Sequence, residues 1–256
     1  MNRAVRLAAC VVVVLLLPGF VSAQWLEIPL PGTPRTADGK PDLAGPVPRT
    51  SDDRPDLSGI WRQADGPSYL PNIARDLPDG APLQPWAKAL HQQRIDARGA
   101  GRPSERCLPH SIPDAMMVRQ IPFKIIQTGG VTVILYEEFN NWRQIFTDGR
   151  TLPVDPQPAW FGYSVGRWDG ATFVVETAGF NDLTWLDDRG TPHSEALRTT
   201  ERFRRLDFGS MEIEFTFDDP KAFTQPWSAT VGFTLLPDTE LLDHQCENEK
   251  WATAPR

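Results

Sequence analysis

Residues 195–217 read EALRTTERFRRLDFGSMEIEFTF, and their alternation decides the fold class. Met211, Ile213, Phe215 and Phe217 fall on one side, with Glu212, Glu214 and Thr216 on the other. A period of two is the mark of a strand with one buried face. Asp207-Phe208-Gly209 supplies the turn back to the preceding strand. There, Phe203 sets the phase: Leu197, Thr199 and Glu201 share its side, and Arg198, Thr200, Arg202 and Arg204 oppose it.

The pattern extends in both directions. Strand-like runs flank Gly129-Gly130, Asp169-Gly170 and Pro237-Asp238, each a hairpin signal. Trp142–Thr147 ends at Asp148-Gly149, and Ala229, Val231, Phe233 and Leu235 alternate again. Leu57–Trp61 reads as a first strand and Glu240–Cys246 as a last one. About ten antiparallel strands must bury one face, which a barrel or a sandwich achieves. The expectation is all-β: an antiparallel meander closing into a barrel over residues 55–250, with a sandwich as the alternative. One helix is predicted near 86–97, opened by Pro85 and ended by Gly99–Pro103. Residues 24–54, rich in Pro, Gly and charge, form an extended arm containing a faint echo, KPDLAG at 40–45 and RPDLSG at 54–59.

Residues 1–23 have the form of a signal peptide. Arg3 and Arg6 precede an apolar run too short to span a bilayer, and Val21-Ser22-Ala23 suits cleavage. The expected location is periplasmic or secreted, with no membrane insertion after cleavage. Losing Arg3 and Arg6 takes the net charge from −7 by two units to −9. An acidic chain without a basic cluster argues against nucleic acid as a partner. Cys107 and Cys246 remain, and an even count in an exported chain predicts a disulfide between them.

Within 142–220, the one long connection that does not read as a simple turn is 179–194, GFNDLTWLDDRGTPHS. Loops of this length with their own aromatics tend to carry function. His193 is a candidate acid or base with Asp182 as its partner. Glu201, facing the apolar side, is either a buried carboxylate of raised pKa or one half of an ion pair with Arg143 or Arg167. Tyr163, Trp168 and Trp185 are candidate ligand-stacking residues, and His244 is in phase to point inward. His110, His193, His244 and the acids supply ligand types without any short spacing (no HxH, HExxH or CxxC), so no metal is expected. No cofactor motif occurs.

The Gly-x-Trp at 59–61 is similar to the opening of lipocalins and other calycin barrels, a likeness of architecture. The stretches RQIFTDGRTLP, GYSVGRWDG, HSEALRTTERFRRLDFG and DDPKAFTQPW, with PDLSGIW at 55–61, resemble an uncharacterised family of exported bacterial proteins. That resemblance implies no activity. The residues predict a barrel that binds a small, partly apolar ligand, with cofactor-free acid–base chemistry as an added expectation. The alternatives are a lipocalin-like carrier or a structural or interaction domain of the cell envelope. Oligomeric state is open.

Overall fold

The computed structural model describes residues 28–64, 71–118 and 121–246. Residues 1–23, the expected signal peptide, therefore lie outside the described residues. Nine strands close into one barrel: β1 (Gly59–Gln63), β2 (Phe123–Gln127), β3 (Val131–Tyr136), β4 (Trp142–Phe146), β5 (Tyr163–Asp169), β6 (Thr172–Ala178), β7 (Arg198–Arg205), β8 (Ser210–Asp218) and β9 (Trp227–Leu235). β1 pairs with β9 to complete the ring, so the sandwich alternative is excluded. Closure leaves no strand edge exposed. The helix α1 spans Pro85–Asp96, and a single turn, α2, spans Asp114–Met117.

Two details depart from the expected meander. β4 and β5 are parallel, so residues 147–162 run the length of the barrel. The segment 240–246 forms no strand; its backbone makes one bridge, between Glu138 and His244.

The alternation read from the sequence is the inside–outside alternation of the barrel. Phe203 lies opposite Ile213 and Phe173, and all three are buried. The interior is packed with side chains. At Gly166 an added Cβ would lie 2.5 Å from the Phe173 ring and 2.9 Å from Ile145. Only glycine leaves room there, since real Cβ contacts are not that close.

Strand direction separates the two ends. At one, the turn end, lie the β2–β3, β5–β6 and β7–β8 turns. At the other, the closed end, lie the described residues 71–118 between β1 and β2 and the connections 179–197 and 219–226. There Ile112, Ala115, Met116 and Met117 pack into the barrel core.

The arm covers the turn end. Its echo extends to a twelve-residue tandem repeat, PRTADGKPDLAG (34–45) and PRTSDDRPDLSG (48–59). The two copies fold alike. Thr36 N donates to Lys40 O at 2.9 Å and Asp42 N to Pro34 O at 2.8 Å; Thr50 N donates to Arg54 O and Asp56 N to Pro48 O, each at 2.8 Å. In both, the threonine hydroxyl donates to the aspartate two residues on, at 2.5 and 2.6 Å. The first copy docks on the β7–β8 turn: Gly209 N donates to Leu43 O and Phe208 N to Gly45 O, both at 2.8 Å. The second runs into β1, where Leu57 is buried and its carbonyl accepts from Trp61 Nε1 at 2.9 Å. Arg205 ties both ends of this arrangement, donating to the carbonyls of Asp56, Asp207 and Phe208.

Candidate functional site

Glu201 faces the interior, as its strand phase predicts, and is 0 % exposed. Its partner is Arg143 on β4, whose Nη1 donates to Glu201 Oε1 at 2.9 Å and whose Nη2 donates to Glu201 Oε2. Arg143 also donates to Ser164 Oγ at 2.9 Å and Thr177 Oγ1 at 2.7 Å. Burial pulls the guanidinium pKa down; the Glu201 carboxylate outweighs it and holds the pKa above its ordinary value. Arg167, the other candidate, points outward and pairs with Glu176. The carboxylate and guanidinium satisfy each other inside the barrel, with Ser164 and Thr177 completing the layer.

The long connection is organised by Asp187. Its carboxylate accepts from Thr191 N, Thr191 Oγ1 and Ile73 N at 2.9–3.0 Å. His193 is buried beyond it, edge-on to Phe180. Its Nδ1 donates to Ser194 O at 3.1 Å, which leaves Nε2 to accept from Thr184 Oγ1 at 2.8 Å. Burial pushes its pKa down. Both ring nitrogens are occupied, and Asp182 is not among the partners. Asp182 instead lies exposed on a surface cleft of about 360 Å³, shared with Leu90, Arg94 and Trp185. Trp185 is covered by Arg94, whose guanidinium lies 4.4 Å from the ring centroid.

The other predicted ligand residues disperse. Tyr163 stacks on Phe146 at 5.2 Å and accepts from Arg150 Nη1. His244 packs on Phe139 at 5.7 Å. Trp168 lies at the turn end, half-buried, and borders a cavity of about 390 Å³. Gln127, Thr132, Thr147 and Trp168 come from the ends of β2–β5 and line this cavity, and the second arm turn, Thr50–Arg54, contributes to its wall. Gln127 Oε1 is spent on Leu57 N at 2.9 Å, whereas Thr147 Oγ1 is buried without a partner. The Cys107–Cys246 disulfide forms as expected, with Cα atoms 5.5 Å apart.

A second constellation was not foreseen. At the closed end His110, Asp114, Glu138 and Asp188 converge. His110 Nδ1 lies 2.9 Å from Asp114 Oδ2, and Nε2 lies 3.4 Å from Glu138 Oε1. Neither approach runs along the ring N–H direction, so both nitrogens, and Asp114 Oδ1, are buried without a regular hydrogen bond. Arg102 Nε approaches Asp188 at 4.0 Å. Burial pushes the Glu138 carboxyl up to about 7, with His110 opposing. Burial and the charge of Asp114 push Asp188 up to about 7, with His110 and Arg102 opposing. Burial and the charge of Asp187 raise Asp114 well above the carboxylate range. Four side chains from three separated segments meet here, and His110/Asp114, four residues apart, was the one local signal.

No helix among the described residues is long and apolar enough to cross a membrane. The chain matches no family model, no curated protein and no solved structure.

Proposed function

We propose that this protein binds a small, partly apolar ligand at the turn end of its barrel. The observation that carries the reading is the cavity between the second arm turn and the ring Gln127, Thr132, Thr147 and Trp168. Trp168 supplies an apolar face on which a ring stacks, and the unpartnered Thr147 hydroxyl seeks a hydrogen bond. Asp52 and Arg54 add charged groups at the rim. A hydroxylated ring compound, such as a glycoside or a phenol, has both faces this lining calls for. Binding is favoured over turnover because Glu201 is neutralised by Arg143 and both His193 nitrogens are engaged. The disulfide suits an oxidising compartment, and with the basic and apolar N-terminal sequence it supports a periplasmic or secreted location.

The test is calorimetric titration with a panel of glycosides and phenols, repeated on Trp168→Ala and Thr147→Val. A ligand of this site loses at least about tenfold in affinity with Trp168→Ala, as a lost stacking contact implies. A ligand that binds both variants as well as the parent lies elsewhere, and the reading fails. Cell fractionation checks the location; protein retained in the cytoplasm overturns it.

A further inference from the structure

We propose that His110, Asp114 and Asp188 bind one divalent transition-metal ion, Zn²⁺ or Mn²⁺, at the closed end of the barrel. One potential ligand atom from each of the three lies within 4.8 Å of the other two. Ligands around one ion at about 2.0–2.2 Å are separated by roughly 3–4 Å, so small side-chain rotations complete the site. The second observation is the set of unspent polar atoms. His110 and Asp114 are each 4 % exposed at the side chain, and the His110 ring nitrogens and Asp114 Oδ1 lack a regular hydrogen bond. Buried polar atoms left in this state are rare, and several converging on one point indicate a missing positive partner.

The geometry also supplies a support behind the imidazole. Glu138 stands on the Nε2 side of His110, opposite Asp114 on the Nδ1 side. Nδ1 is therefore the ligand atom, and Nε2–H turns to Glu138, the carboxylate–histidine–metal arrangement that fixes ring orientation. One imidazole with carboxylates suits a first-row divalent ion better than Ca²⁺ or Mg²⁺, which take oxygen alone. The charge balance agrees. Three carboxyls converge here beside one imidazole and Arg102.

The site joins three segments that the fold does not otherwise connect covalently: the stretch before β2, the β3–β4 turn and the long connection between β6 and β7. Its closed position suits an ion that holds these segments together. It lies at the opposite end of the barrel from the ligand cavity, so the two readings stand or fall separately.

The experiment uses the protein without a histidine tag, stripped with chelator and titrated with ZnCl₂, MnCl₂ and CaCl₂. The expected result is one Zn²⁺ or Mn²⁺ per chain and little response to Ca²⁺. At a metal concentration about a hundred times Kd, the Tm should rise by roughly 5–10 °C. Asp188→Asn keeps the side-chain shape and should weaken binding by more than about tenfold, as should His110→Gln. Asp182→Asn, an exposed acid on the same connection, should leave binding unchanged. If His110→Gln does not fold, Asp188→Asn decides. Substoichiometric binding, or equal binding by Asp188→Asn, overturns the proposal.

Discussion

Arg143 on β4 and Glu201 on β7 meet inside the barrel, joined by two hydrogen bonds between side chains 1 % and 0 % exposed. Ser164 and Thr177, on the two strands between them, each take one further guanidinium proton. The pair spans a third of the ring, so it reports on closure as well as on charge. Removing one partner leaves a buried charge uncompensated. Glu201→Gln is expected to cost about 3–5 kcal/mol in denaturant unfolding, and Arg143→Met to cost as much. The double change Arg143→Met/Glu201→Leu should recover most of that loss. A double variant as unstable as the sum of the singles would mean that the two side chains act independently, with no uncompensated charge left by either single change.

The disulfide joins positions separated by 139 residues. In the chain-entropy argument a loop of that length corresponds to about 5 kcal/mol. Cys107→Ser, or reduction, should lower stability by an amount of that order, read from urea unfolding, with a steeper slope because the freed unfolded chain exposes more surface. A loss below about 1 kcal/mol would show that the unfolded chain is not the state being constrained.

His193 predicts a pH dependence. Its folded pKa is lowered by burial, so below about 6.5 the unfolded chain takes up a proton that the folded chain resists. Its contribution therefore falls as pH drops through that value. Glu138 and Asp188, raised to about 7, act in the opposite sense: between about 4 and 7 the folded chain binds the extra protons, so they favour folding as pH drops. The informative quantity is the difference between parent and His193→Gln. The parent should lose stability relative to the variant between pH 7.5 and 5. A constant difference over that range would place His193 in contact with a counter-charge strong enough to cancel its burial.

Docking of the arm depends on a close approach. An added Cβ at Gly209 would lie 2.5 Å from Leu43 Cβ and 2.9 Å from Leu43 O, and the backbone cannot yield there as a side-chain tip would. Gly209→Ala should release the first arm hairpin, at a cost of about 1–3 kcal/mol, while the barrel stays folded. Limited proteolysis should then cut within 34–47 faster than in the parent. An unchanged cleavage pattern would contradict the docking.

The sequence by itself determined what depends on local period. Alternation in MEIEFTF and in LRTTERF made strands with one buried face, and placed Glu201 on it, because successive side chains must point to opposite sides. Pro85 and the glycines after Ala97 bounded the helix for equally local reasons. With Cys10 set aside in the signal-like segment, Cys107 and Cys246 left one pairing open, and the disulfide forms there. What depends on closure was decided by the tertiary structure. Register around the ring chose Arg143 over Arg167 for Glu201. The chain crossing at 147–162 made β4 and β5 parallel, which no alternation encodes. His193 and Asp182, eleven residues apart, were separated because the connection folds around Asp187, burying one and exposing the other. His110, Asp114, Glu138 and Asp188 were brought together although up to 78 positions separate them. No period or spacing carries such a meeting; it follows from which strand ends share one mouth of the barrel.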